Sequence, residues 1–143
     1  MTAIRAQIVA TIEARLAAID EVREVVVMPS GDPVKFPALH IFDDGHAVDE
    51  SDTAGTKYGF IPRIEGYIEG SSGVAAYAQI NDLYAATIRK LVTDPPIDGL
   101  AETVDEGDMR LFVATLASKP RLGFTLDLPI SFYTDREDPA KPA

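Results

Sequence analysis

Five carboxylates crowd one stretch of this sequence. Asp43, Asp44, Asp49, Glu50 and Asp52 fall between positions 43 and 57, with His46 among them and Lys57 as the one lysine. Carboxylate oxygens suit hard divalent cations, so a calcium or magnesium site is the first chemistry to consider. A calcium loop fixes its oxygen ligands by spacing and closes on a Glu at its twelfth position. This stretch lacks that spacing, and Asp43–Lys57 reads instead as a long solvated loop. His40 alternates with Leu39 and Ile41, which predicts a strand position facing solvent or a partner. Ser71-Ser72-Gly73 stands where a strand gives way to a helix, as a nucleophile elbow does. That elbow needs glycine two positions before and two after the serine. Ser71 has Glu69 before it and Ser72 has Val74 after it, so the segment reads as a helix cap. No glycine-rich loop with its lysine offers a phosphate cradle. With no cysteine, disulfides, thiolate metal sites and a Cys nucleophile are excluded. Two histidines are too few for a multi-histidine site. No catalytic residue, cofactor or metal ligand is predicted. An enzyme would need a site assembled from distant residues such as His40, His46 and the loop carboxylates.

A second group of polar residues has a different character. Arg63, Glu65, Tyr67 and Glu69 alternate with Ile64, Gly66 and Ile68, giving one strand with a polar face and an apolar one. That polar face suits a neighbouring subunit or plain solvent. Gly66 marks a bulge or a close approach by another group.

The elements that must position these residues can be read in order. Ile4, Ile8, Ile12 and Leu16, with Val9 and Ile19, predict an amphipathic helix that Thr2 opens as N-cap. Strands follow at Val22–Met28 and Ala38–Phe42, separated by the turn residues Pro29 to Pro33. After the acidic loop, Tyr58–Gly70 resumes the sheet, with Pro62 making its start irregular. A second helix, Val74–Thr93, carries Tyr77, Ile80, Leu83, Tyr84, Ile88 and Leu91 as its apolar stripe and stops at Asp94-Pro95-Pro96. A turn at Ile97–Leu100, a short strand near Thr103, a strand at Met109–Leu116 and a turn at Ser118–Arg121 lead to the closing stretch. There Phe124, Leu126, Leu128, Ile130 and Phe132 fall on every second residue of Leu122–Tyr133, predicting one long half-buried strand.

The expected fold is α+β, with a single mixed or antiparallel sheet, two main helices on one face and the order α-β-β-β-α-β-β. Residues 1–134 make the domain, and residues 135–143, acidic and proline-rich, are expected as a disordered tail. At 143 residues with a net charge of −10, the chain needs no staple. Its charge opposes a sequence-independent grip on nucleic acid. No secretory signal and no membrane-length apolar run are evident.

The layout resembles a known family. IRAQIVATIEARLAAI leads to VREVVVM and PALHIFDD, then RIEGYIEG, the helix and turn YAQINDLYAATIRKLVTDPPIDGLA, and GFTLDLPISFYT. From Ala3 to Thr134 this order resembles the tail terminator (minor tail, or tail completion) proteins of long-tailed bacteriophages. The resemblance implies a non-enzymatic virion protein of the tail or neck, assembled in the host cytoplasm. It would form a ring of six copies that caps the tail tube, stops its polymerisation and offers the head-joining surface. Its partners would be other copies of itself, the tail tube protein and a head–tail connector, with no membrane and no sequence-specific nucleic acid. By the same resemblance, Asp43, Asp44, Asp49, Glu50 and Asp52, with Arg63, Glu65, Tyr67 and Glu69, are expected to contact subunit or tube. The acidic segments Asp43–Asp52 and Asp94–Asp108 are expected to line a DNA channel. The alternatives are another neck protein, such as a head-closure or adaptor protein, and a small metal- or ligand-binding module.

Overall fold

The computed structural model describes residues 2–113 and 119–143. It is an α+β fold in which β1 (Glu24–Val27), β2 (Ala38–Phe42), β5 (Arg63–Glu69), β8 (Arg121–Asp127) and β7 (Met109–Val113) form one mixed sheet, in the order β1-β2-β5-β8-β7. Only β1 and β2 run parallel. A second, antiparallel sheet has the order β3-β4-β9-β6, from β3 (His46–Asp52), β4 (Gly55–Phe60), β9 (Ile130–Thr134) and β6 (Thr103–Val104). Of the expected strand Met109–Leu116, positions 114–116 lie outside the described residues, as does Ser118 of the turn after it.

The single sheet expected from the sequence is therefore two, and prolines explain the division. The alternating stretch 122–133 breaks at Leu128-Pro129, leaving β8 in one sheet and β9 in the other. The stretch 58–70 breaks likewise at Ile61-Pro62 between β4 and β5. Proline has no N–H for a ladder, so a strand leaves its sheet most readily there. The two breaks are neighbours: the Leu128 N–H donates to the Pro62 carbonyl at 3.1 Å. The period of two survives this corner, because Leu126, Leu128, Ile130 and Phe132 all enter one core.

The first helix, α1 (Ile4–Ala17), buries Ile4, Ile8, Val9, Ile12 and Leu16 as its periodicity requires. Thr2 does not cap it. Ala3 holds the cap position without a side-chain bond, and the Pro139 carbonyl accepts the Ile4 N–H at 2.9 Å. Residues 135–143 are thus turned back on the fold, closed also by a bond from the Asp135 N–H to the Lys141 carbonyl at 2.8 Å. The second helix, α2 (Gly73–Leu91), is capped by the Ser72 hydroxyl, which accepts the Ala75 N–H at 3.1 Å. Its buried stripe is Ala76, Ile80, Leu83, Thr87 and Leu91. This leaves Tyr77 57% exposed, whereas the sequence places it in the stripe.

Helix α2 lies on β5 and β8, and α1 on β1 and α2. Arg15 ties the helices together. Its guanidinium donates to the Thr93 hydroxyl at 2.7 Å and the Lys90 carbonyl at 3.2 Å, and pairs with Asp98 in the 3₁₀ turn Pro96–Gly99.

Candidate functional site

Two surfaces bring the predicted contact residues together. The first is the hairpin β3–β4. The acidic stretch expected as a loop is in fact a strand pair, with β3 exposed at all seven residues. Its acidity hid the strand: carboxylates on both faces remove the alternation by which a half-buried strand is recognised. Asp52 builds the hairpin turn, accepting the N–H groups of Ala54 at 2.8 Å and Gly55 at 3.2 Å through one oxygen. Asp49 sits at a bulge where the β3–β4 register slips. Its carboxylate lies over Gly59, where a β-carbon would come within 3.2 Å of it. Glu50 stands opposite Lys57.

The base of the hairpin is fastened to the rest of the molecule. Asp43 accepts from Arg5 Nε at 3.0 Å and from the Gly45 N–H at 2.8 Å. Arg5 also donates to Nδ1 of His46 at 2.7 Å, and the His46 ring packs tilted against Tyr58, with ring centres 4.3 Å apart. Desolvation, and then the Arg5 charge, hold the His46 pKa below its ordinary 6.5, against the opposing pull of Asp43. Asp44 pairs with Arg63 at 3.3 Å, joining the hairpin base to β5.

The second surface is the helix-free face of the five-stranded sheet. Arg63, besides Asp44, pairs with Glu65 at 3.1 Å and lies 4.4 Å from the centre of the Phe42 ring. Glu65 also accepts the Tyr67 hydroxyl. Burial first, and then this bond to Glu65, push the Tyr67 phenol well above its usual range. Glu69 is held by Arg121 at 2.8 Å and Lys119 at 3.7 Å. All four predicted residues of β5 are half-buried, so this face is already braced by its own ion pairs.

His40 lies on the same side but is 2% exposed, where the sequence predicts a position facing solvent or a partner. It donates to Glu24 at 2.6 Å, and the other Glu24 oxygen accepts the N–H groups of Val34 and Lys35. The segment before β2 is thereby drawn toward β1 and β2. Burial alone would raise the Glu24 carboxyl, but these hydrogen bonds outweigh it and hold it below its ordinary 4.5.

Sequence reasoning missed the partners that make these surfaces: Arg5, Phe42, Arg121 and the Glu24–His40 pair. Their only signal was residue type, since each bridges elements far apart in the chain. Among the described residues, no three His, Cys, Asp or Glu side chains are grouped so as to hold a metal ion. A groove of about 500 Å³ lies between α2 and Phe36-Pro37, lined by Ile68 and Leu83 with Glu21, Asp82 and Arg89 at its polar positions. Neither His40 nor His46 lines it.

The folding also sorts the charge. Residues 43–60, 96–108 and 128–143, which form the four-stranded sheet and its connections, hold thirteen carboxylates against three Lys or Arg. The rest of the chain holds ten of each. The whole net charge of −10 thus resides on the second sheet, and the acidic segments around β3 and β6 come to its two opposite edges.

No family model matches this sequence. No curated protein matches it either. Among solved structures, a chain from "Virion of native gene transfer agent (GTA) particle" is similar, with 14% identity and a TM-score of 0.43. The match covers 90% of this chain and 92% of that one. A likeness this distant carries no argument about activity or partners.

Proposed function

We propose that this chain is a structural subunit of a phage-like virion, and within it a tail terminator. It assembles as a ring that caps the tail tube, stops its growth and presents the surface to which the head joins. The observation that carries the assembly part is the β3–β4 hairpin, whose outer strand is exposed at every residue although its base is fastened by Arg5, Asp43 and Arg63. An ordered, uncovered edge strand is a ready template for pairing with another polypeptide. The resemblance of the element order to that of tail terminators supports this choice of particle and of position in it. Asp43, Asp44, Asp49, Glu50 and Asp52 then serve at the hairpin contact, and Arg63, Glu65, Tyr67 and Glu69 on the braced sheet face. The concentration of charge on one sheet supports an acidic wall, which repels DNA and lets it slide. No reaction is part of this role.

Electron microscopy of particles made with and without the gene tests the proposal. Overlong, headless tails in its absence are the expected result. Tails of normal length beside detached heads would assign a connector role instead, and intact infectious particles would remove the virion reading altogether.

A further inference from the structure

Among the described residues, each sheet ends in an edge strand long enough to accept another strand. β7 closes the five-stranded sheet and β3 the four-stranded one. Of the two remaining edges, β1 is flanked by α1, and β6 is only two residues long. An open edge presents unpaired N–H and C=O groups, which proteins blunt with short strands, proline, charged side chains, bulges or a covering element. Neither strand contains proline, and both carry exposed apolar side chains. Leu111 is 42% and Val113 70% exposed on β7, and Val48 is 59% exposed on β3. The one irregularity of β3 is the bulge at Asp49, with pairing resumed on both sides of it.

Charge decides which edges are compatible. A β3–β3 pair in full antiparallel overlap would set Asp49 against Asp49 and Glu50 diagonal to Glu50. A β7–β7 pair in full antiparallel overlap would set Arg110 opposite Phe112 and diagonal to the second Arg110 on the same face. Like charges facing each other across strands are destabilising, and opposite charges favour pairing. Arg110 is exposed on β7 and has no ion-pair partner among the described residues. A β3–β7 pair brings that cation to the hairpin carboxylates and sets Val48 beside Leu111 and Val113.

We propose that β3 of one copy docks along β7 of the next, so that the acidic sheet of one subunit continues into the five-stranded sheet of its neighbour. The contact is head-to-tail: each copy uses one edge as donor and the other as acceptor. Such contacts propagate, and they close into a ring when the rotation between copies allows it. A single short ladder is a small contact, and closure reinforces it by engaging both edges of every copy. This inference deepens the ring reading and rests on it for closure.

The absence of cysteine makes the contact directly testable in the purified full chain. Residues facing each other across paired strands have Cα atoms about 4.5–5.5 Å apart, within reach of a disulfide. The double variant Val48→Cys with Leu111→Cys, oxidised at millimolar concentration, is expected to give a ladder of covalent multimers. A mixture of the two single variants is expected to give covalent dimers and nothing larger, and each single variant alone only monomer. Adding Arg110→Glu to the double variant should cut cross-linking at least tenfold, and adding Asp49→Arg and Glu50→Arg as well should restore it. Dimers from either single variant alone would show like edges pairing and overturn the proposal. So would a double variant that stays monomeric with the parent's circular dichroism, or a ladder indifferent to Arg110→Glu. Tail length decides the particle reading separately: a ladder from a chain whose loss leaves particles intact would keep this contact and remove the terminator.

Discussion

At Gly66 a methyl group would have to share space with an aromatic ring. A β-carbon built there falls 2.1 Å from the Phe124 ring, and Phe124 is fully buried with Tyr84 packed edge-on at 5.9 Å. The ring cannot withdraw without opening the core, so the glycine is a packing requirement of close approach. Gly66→Ala is expected to cost about 1–3 kcal/mol, read as a lower midpoint in urea unfolding. His46 offers a second check at this scale. Its folded pKa lies below the ordinary 6.5, so folding favours the neutral ring. The stabilisation is present above pH 6.5 and is lost as pH falls through the folded value. An NMR titration should therefore place His46 below 6.5. Removing the cation with Arg5→Ala should move that value up, and removing the anion with Asp43→Asn should move it down. A shift in the same direction from both variants would refute the account.

The hairpin is an element whose two ends do different work. Its base is tied by Arg5, Asp43, Asp44 and Arg63, while its outer strand, paired among the described residues only with β4, is exposed at every residue. Stability resides in buried apolar contacts, and β3 contributes no side chain to the buried core. Shortening the tip by deleting residues 50–53 should leave thermal stability within a few degrees of the parent, since little buried area is lost. The same deletion should abolish assembly into particles. A large drop in melting temperature would show that the tip supports the fold itself.

Over the whole molecule, two sheets share one core yet carry very different charge. The helices and the five-stranded sheet bury most of the apolar side chains and have balanced charge, and the second sheet bears the entire excess. At physiological ionic strength, screening acts over about 8 Å. An acidic surface of this kind therefore acts on what comes close, such as a neighbouring subunit or DNA in a channel, and hardly at long range. In the proposed head-to-tail contact, the sheet bearing thirteen carboxylates in one copy meets the charge-balanced sheet of the next. The tail-length experiment tests the assembled state, because under the proposed function the ring and not the single subunit stops the tube.

Much of this protein was legible in its residues. The spacing of Ile4, Ile8, Ile12 and Leu16 fixes one face of α1, Ser72 fixes where α2 begins, and the alternation around Ile64 and Ile68 fixes the inner face of β5. These are local rules of period and capping, which act over a few residues. Alternation could not reveal that 122–133 changes sheets at Pro129, because a period of two says which face a residue takes and nothing of its neighbouring strands. Nor could it find β3, whose polar residues leave no pattern. The Glu24–His40 pair, the Arg5 clasp on the hairpin base and the gathering of charge on one sheet join residues distant in the chain. They exist only once the tertiary structure has brought those distant segments within hydrogen-bonding distance.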